Sequence, residues 1–486
     1  MIIKDSFKKV KKEEKLQTSN NEFVNSALKD KRLNTRTDNG MKAFSTTGSA
    51  LVNLFATAGN STGGQIELFE KAYSEDPIVA LKLALFIRDI REGLGRRLTF
   101  REIVTYITSK PLDIDEIHIL NFISKIPELG RWDDLFYVDN KYFDYVIEVI
   151  KKGLENSDTQ GLCAKWMPRQ GNLANALRKA LGYATPKEYR KKIVELSNTV
   201  EQKMCERKWD SIKYNTVPSI AFKKYTNAFM RHDENRFSSF LNRVKEGKET
   251  VNAGAIYPYQ VIDNLDNNVS AAEAQWKNLP DFIPEDSQVL VICDDSGSME
   301  SGIGQGTTAL NVAHSLAIYT SERLKSAFKN LFMTFSETPR WMDLSKCKTL
   351  NSKVIYCRRH SEVANTDIVA AFKLILNTAT INKVKAEDMP KTLLILSDME
   401  FDYCVDWDTS ALNIVKKLYL EAGYELPNII FWNLNSHTHQ FPVEFNDKGV
   451  ALMNGFSPTL LKYLKHKDIT PYNIMMEVLN NERYNI

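Results

Sequence analysis

A helical-repeat half joined to a doubly wound, parallel-sheet α/β half is the fold class predicted for this chain of 486 residues. Three observations predict it. From Leu68 to about Lys245, helical patterns follow one another with few legible strands. Beyond residue 288, short apolar runs without alternation, as in strands buried on both faces, take turns with helically spaced segments. Two of those runs, Val289–Cys293 and Leu393–Leu396, stop at carboxylates, Asp294 and Asp398. In open α/β sheets the carboxyl edge is where ligands bind.

In chain order, residues 1–37 read as a flexible basic arm, with Lys8, Lys9, Lys11 and Lys12 solvated and few apolar anchors. Residues 38–245 form the helical part. Asp76 caps a helix with Pro77 at its first position. Val79, Leu83, Phe86, Ile87 and Ile90 make its apolar stripe, and Gly93 ends it. Further helices are expected over Thr99–Thr108, over Asp113–Ile126 before Pro127, and over Lys141–Gly153. Thr185-Pro186-Lys187-Glu188 is a capping box opening a helix toward Trp209. Helix pairs with short links suggest an α-solenoid of the HEAT kind, without a clean sequence period.

Residues 246–287 form a connector, extended around Ala253–Gln260 and helical near Ala271–Leu279. The α/β part covers 288–469 and a tail covers 470–486, packed back on the body. Strands are expected at Val289–Cys293, Leu331–Phe335, near Val354–Cys357, at Thr392–Leu396 and at Asn428–Leu434. Helices are expected over 307–326, 367–378, 409–422 and Ser457–Leu464. Strands alternating with helices imply a parallel, doubly wound sheet.

The first strand delivers Asp294, Ser296 and Ser298 into a loop. A second loop carries Thr366, and a second strand ends at Asp398. These groups supply oxygen ligands only, the set that hard cations such as Mg2+ take in octahedral geometry while keeping several waters. The spacing resembles the metal-ion-dependent adhesion site of von Willebrand factor A domains. That resemblance implies hydroxyls from Ser296, Ser298 and Thr366, with Asp294 and Asp398 holding the ion directly or through water. The alternative is three unrelated turn-and-cap loops, where Asp, Ser and Thr are favoured.

The net charge of +3 hides an asymmetry: residues 151–250 hold 21 basic and 11 acidic residues. Such an excess is the footprint of a nucleic-acid partner. The candidates are Lys165, Arg169, Arg178, Lys179, Lys187, Arg190, Lys191, Lys192, Arg207, Lys208, Lys223, Lys224 and Arg231, followed by Arg236. Trp166, Tyr183, Tyr189 and Tyr225 lie among them. Cations anchor phosphates and exposed rings stack on unpaired bases. Taken singly, each cation also fits a solvated helix face and each ring a packed core. Arg88, Arg91, Arg96 and Arg97 form a weaker second cluster.

Four phrases of the helical part carry a further resemblance: Leu85–Arg97, Ile126-Pro-Glu-Leu-Gly-Arg-Trp-Asp-Asp134, Ala164-Lys-Trp-Met-Pro-Arg169 and Val217-Pro-Ser219. Followed by an A domain, they resemble the Ro (TROVE-type) ribonucleoproteins over roughly residues 40–470. The resemblance implies a ring of HEAT-like repeats closed by the A domain, monomeric or of unknown oligomeric state. It implies small non-coding or misfolded RNA as partner, structured on the outer surface and single-stranded in the hole.

Other classes lose ground. The six cysteines are scattered without zinc spacing and read as reduced packing residues. No run reaches the ~18 apolar residues of a membrane span, and the first ten residues lack a signal-peptide core. A cytoplasmic location is the default, or host cytoplasm or virion if the source is viral, a source to which the Lys/Asn/Ile-rich wording points. No phosphate-cradling Gly-x-x-x-x-Gly-Lys motif is present. Asp294, Asp295, Asp398, Glu400 and Asp402 supply carboxylates for a hydrolase, but no His or Lys stands beside them as base. Glu400 and Asp402 read as solvated loop acids, and His437 and His439 as surface residues. The expectation is a non-catalytic RNA-binding protein with a divalent-cation site. The rival is a Mg2+-dependent adaptor or virion component that captures a partner protein's carboxylate.

Overall fold

The structure, a computed structural model, describes residues 35–486 except 38, 61–62, 111–112, 304–305, 336–337, 362–366, 402–410, 437–439 and 465–468. Residues 1–34 of the expected basic arm, Thr366, Asp402, His437 and His439 therefore lie outside the described residues, whereas residues 35–37 of that arm form the first strand and a bond to Phe401. A small antiparallel pair, β1 (Thr35–Arg36) and β2 (Lys42–Ala43), precedes α1 (Ala50–Thr57). The helical part continues with α2 (Gln65–Glu75), α3 (Pro77–Arg88), α4 (Arg97–Ser109), α5 (Glu116–Leu129), α6 (Phe143–Glu155) and α7 (Gln160–Trp166). Then come α8 (Gly171–Ala180), α9 (Pro186–Ser197), α10 (Val200–Cys205), α11 (Ser219–His232) and α12 (Glu234–Lys245). Many of these helices pack against a neighbour in the chain, with α2 on α3, α3 on α4, α6 on α7 and α11 on α12.

Caps set several starts. The Asp76 carboxylate accepts from Val79 N at 3.0 Å, with Pro77 next in line. Thr185 Oγ1 accepts from Glu188 N at 3.2 Å, and Glu188 Oε2 accepts from Ala184 N at 3.1 Å. The helix that Thr185 opens does not reach Trp209. Asn198 takes a left-handed φ of 34°, which ends α9, and the short α10 starts two residues later. Pro127, in contrast, does not stop α5. Its missing N–H costs one bond in the last turn, and the burial of Ile126 and Leu129 holds that turn in place.

Around the Gly-Arg-Trp-Asp-Asp phrase the helical part has a charged knot. Asp134 is fully buried and accepts from Arg88 Nε at 2.7 Å, Arg101 Nε at 2.7 Å and Arg131 N at 3.0 Å. Arg88 is itself 2% exposed, so the pair is a buried one. Trp132 fills the space beside Gly153, where an added Cβ would stand 2.0 Å from its Cη2. These residues of the phrase build the core of the helical part.

The connector holds α13 (Pro258–Ile262), where extended chain was expected, and α14 (Val269–Lys277). The second part contains β3 (Val289–Asp294), α15 (Ala309–Arg323), β4 (Leu331–Phe335), β5 (Arg340–Asp343), α16 (Leu350–His360) and α17 (Ile368–Ile381). It ends with β6 (Thr392–Ser397), α18 (Ala411–Ala422), β7 (Asn428–Asn433), β8 (Val450–Asn454) and α19 (Pro471–Leu479). Val354–Cys357 is not a strand but part of α16. Thr349 caps that helix, and Leu350, Val354 and Cys357 are buried at helical spacing. The sheet order is β5-β4-β3-β6-β7-β8, parallel throughout except for the edge strand β5. Strand order therefore reverses between β3 and β6, the switch point at which open sheets hold ligands.

Contacts close the chain on itself. At one end α14 packs on α11, α12 and α16, and Trp276 Nε1 donates to Glu322 of α15 at 3.0 Å. At the other end α1 and α19 pack on β8, and α19 also packs on α3. Buried Asp89 accepts from Arg483 Nε at 2.9 Å, Arg483 Nη2 at 3.0 Å and Tyr484 Oη at 3.1 Å. Phe44 and Phe441 exchange backbone hydrogen bonds of 2.9 and 3.0 Å. Among the described residues, no helix is long and apolar enough to cross a membrane.

His314 lies inside α15, and burial first, then the Arg358 charge, holds its pKa down to about 4. A depressed imidazole contributes stability that is complete above its ordinary pKa of 6.5 and is lost as pH falls toward 4. The pH-dependent loss should total about 3 kcal/mol. Urea midpoints measured at pH 7 and pH 4.5 should show it in the wild type and show much less in His314→Gln.

Candidate metal centre and basic helical face

At the switch point, β3 and β6 run side by side and end together, with Cys293 opposite Leu396. Asp294, Asp295, Asp398 and Glu400 follow, each at most 3% exposed. Glu400 is thus a buried acid and not a solvated one, with Ser436 Oγ 3.4 Å from its Oε1. Ser397 joins the two strand ends: its hydroxyl donates to Asp294 Oδ2 at 2.6 Å and accepts from Met399 N at 2.9 Å. Asp294 Oδ1 accepts from Ser296 N at 2.9 Å, and the Ser296 and Ser298 hydroxyls lie 3.1 Å apart. Asp398 Oδ1 accepts from Glu400 N at 3.2 Å.

The turn after β6 needs Met399 at a φ of 69°, a left-handed conformation that side chains other than glycine adopt at a cost. The amino-terminal segment covers this turn. Thr37 Oγ1 donates to Phe401 O at 2.5 Å, and Asn39 Nδ2 donates to Glu400 O at 2.7 Å. The strand ends thus form a buried acidic cluster, and the start of the described chain bonds the turn beside it.

Burial, and next the charge of Asp398, push the Asp294 carboxyl well above the usual carboxylate range. Two like charges in a desolvated site disfavour each other, and a bound cation would remove that penalty. Among the described residues, no group of three or more His, Cys, Asp or Glu is gathered for a metal. The donors present at the strand ends, two carboxylates and two serine hydroxyls, are oxygen groups of the kind a hard cation takes. Asp294, Ser296, Ser298 and Asp398 come from the two adjoining strand ends. Ser397 and the Met399 turn were not singled out in the sequence. Their signal was a serine directly before the carboxylate at the end of a buried run.

Two family models meet at residue 288. Residues 288–483 match a domain of unknown function (DUF7788), and residues 37–111 and 171–288 match another domain of unknown function (DUF2828). The chain is 28% identical over 509 residues to "Uncharacterized protein L728" of Acanthamoeba polyphaga mimivirus, with 91% of this chain and 86% of that protein covered. The crystal structure of the Deinococcus radiodurans Ro (RSR) protein aligns with 85% of this chain and 98% of its own, at 14% identity and a TM-score of 0.48. The junction of the two family models falls one residue before β3.

The basic candidates divide into two sets. Lys165 pairs with Glu201 at 2.9 Å, Lys192 with Glu195 at 3.3 Å, Lys208 with Glu206 at 2.7 Å and Lys223 with Asp263 at 3.5 Å. Arg178 Nη1 donates to the Tyr183 and Ala184 carbonyls, Arg169 reaches Ser197 Oγ at 3.4 Å, and Arg236 pairs with Asp233. The other set is Lys179, Lys187, Arg190, Lys191, Arg207, Lys224 and Arg231, all exposed and without an ion pair among the described residues. Lys187, Arg190 and Lys191 share one face of α9, three and four residues apart.

The interleaved aromatics are not an open stacking surface. Tyr189 is 1% exposed and donates to Pro168 O at 3.0 Å, Tyr183 packs on it, and Trp166 lies under Arg131 at 3.5 Å. Tyr225 is half-buried against the aromatic cluster of α11 and α12. The second arginine cluster is largely structural. Arg88 is in the Asp134 knot, Arg91 donates to Glu128 O and Arg96 to Asn60 O, while Arg97 is exposed at the start of α4.

Proposed function

We propose that the protein binds RNA without catalysis, through the exposed cations of its helical part, and holds a divalent cation at the β3–β6 strand ends. One observation carries the RNA reading. The excess cations of residues 151–250 are not spent on internal pairs: Lys179, Lys187, Arg190 and Lys191 project from neighbouring helices α8 and α9. Phosphate contacts of this kind position a nucleic acid without reading its sequence. Small structured or single-stranded RNA is the ligand class. The likeness of the sequence phrases to Ro ribonucleoproteins points the same way.

The buried carboxylates support a second reading, in which the cation captures an acidic group of a partner protein and the helical part is a scaffold. Mg2+ would be held by Asp294, Ser296, Ser298 and Asp398, with Thr366 as the further hydroxyl. When bound it would supply an electrophilic docking point, while Ser397 keeps the two strand ends in register.

One experiment separates the readings. Anisotropy of a labelled RNA hairpin, titrated with the full chain from 50 to 300 mM salt, should give a steep salt dependence. Chelator should leave that affinity unchanged, and the triple substitution Lys187→Glu, Arg190→Glu, Lys191→Glu should weaken it at least tenfold. In parallel, Mg2+ at a hundred times its Kd should stabilise the protein by about 2.7 kcal/mol, an effect absent in Asp294→Asn. A protein that binds no RNA at 50 mM salt yet keeps the Mg2+ effect would reverse the order of the two readings.

A further inference from the structure

The carboxyl end of α16 carries Arg358, Arg359 and His360, all exposed, in the α/β part of the chain. The acids on the helices packed against α16 bond groups other than its carboxyl-end cations. Glu273 of α14 accepts from Asn351 N at 3.1 Å, and Glu322 of α15 holds Lys353 at 3.1 Å and Trp276 at 3.0 Å. Asp263, beside α13, holds Lys223 at 3.5 Å and Asn311 Nδ2 at 2.7 Å. Arg358 and Arg359 have no ion pair among the described residues. Cations at a helix carboxyl end favour the helix dipole by a few tenths of a kcal/mol to about 1 kcal/mol, which one side chain supplies and three exceed.

Asp263 also places this cluster next to the helical part. It bonds Lys223 of α11 at 3.5 Å, α13 packs on α16, and α11 and α16 both pack on α14, so the carboxyl end of α16 and the α11 cations belong to one junction. The exposed stripe of α11 then runs from Ile220 through Lys224 and Asn227 to Arg231. Beside the arginines, the His360 and Tyr356 rings stack at 4.2 Å and 29°, with His360 Nδ1 2.8 Å from Tyr356 O. His360 is exposed while Tyr356 is half-buried, so the outer imidazole face is a flat, fixed platform open to solvent.

We propose that Arg358, Arg359 and the His360–Tyr356 ring pair, with Lys224 and Arg231 across the junction, form one seam that takes single-stranded RNA. Phosphates would lie along the cations and one unpaired base would stack on His360, the combination by which single strands are held without sequence preference. An acidic peptide would use the cations but leave the ring platform idle, which is why a single strand is favoured. The inference rests on the RNA-binding reading above and adds a site separate from the α8–α9 face.

The test uses the full chain with two labelled probes, a 12-nucleotide oligouridylate and the hairpin. The variant Arg358→Gln, Arg359→Gln, His360→Ala changes exposed groups of the α/β part only, and its unfolding midpoint should match the wild type. Its oligouridylate affinity should fall at least tenfold, and loss of two phosphate contacts should flatten the log–log salt slope by about 1.4. Its hairpin affinity should change less than twofold, whereas Lys187→Glu, Arg190→Glu, Lys191→Glu should show the converse pattern. His360→Phe should restore stacking and retain oligouridylate binding. Unchanged oligouridylate affinity in the seam variant would overturn the proposal, as would polyglutamate competing as well as oligouridylate. If the wild type binds neither RNA, it is the RNA-binding reading itself that fails.

Discussion

Replacing Asp134 by Asn should cost about 3–5 kcal/mol, the range seen when one partner of a buried ion pair is removed. The reason is local. Arg88 is 2% exposed and has its Nε bonded to Asp134, so the substitution strands a guanidinium in the core of the helical part. Arg101 is less affected, because it also holds Asp133 at 2.8 Å. Urea unfolding followed by circular dichroism should show a lower midpoint for the helical part. The double variant Arg88→Met, Asp134→Leu should recover much of the loss, since an apolar pair of similar volume leaves no charge unpaired. A double variant no better than the single would mean that the network acts by shape alone.

The second large effect should follow removal of residues 481–486. Asp89, fully buried, would lose both Arg483 bonds and the Tyr484 hydroxyl, and keep Arg91 N at 2.9 Å. Tyr484 itself is 2% exposed, with its ring edge-on to Phe86 at 6.1 Å. An unpaired buried carboxylate and a vacated aromatic seat together should cost about 4 kcal/mol or more. Hydrogen exchange should show α3 opening first. The point variant Tyr484→Phe, which keeps the ring and loses one hydrogen bond, should cost about 1 kcal/mol. Equal losses in the two variants would count against the carboxylate as the cause.

Much of the fold was legible in the residues, and the reasons differ by element. The strands from Val289, Leu331, Thr392 and Asn428 stood out because both faces are buried, so the apolar run is unbroken. β5 escaped notice because Arg340-Trp341-Met342-Asp343 is a short edge strand with one buried side chain, Met342. α16 was mistaken for a strand because four residues cannot separate a period of two from one of 3.6. At the candidate metal centre, Asp294 and Asp398 were readable because a carboxylate closing a buried run is unusual. Ser397 and Met399 were not, because their part depends on which strands are neighbours and on a φ of 69°, neither of which a local pattern carries. The charge excess of residues 151–250 was visible, but its division into paired and unpaired cations depended on partners such as Glu201 and Asp263. Arg358 and Arg359 were hidden because the α/β part is acidic on balance.

The hydrogen bond between Asp89 and Tyr484 spans 395 residues of chain. On a ribosome adding ~5–20 residues per second, α3 would leave the exit tunnel roughly 20–80 seconds before its last partners are made. Throughout that interval Asp89 and the side of Phe86 that meets Tyr484 face solvent or a chaperone. The helical part is thus synthesised first but completed last, and a stalled or truncated nascent chain would expose the same surface to proteases. Arg483 and Tyr484 therefore complete the packing around Asp89 only after almost all of the described chain has been made.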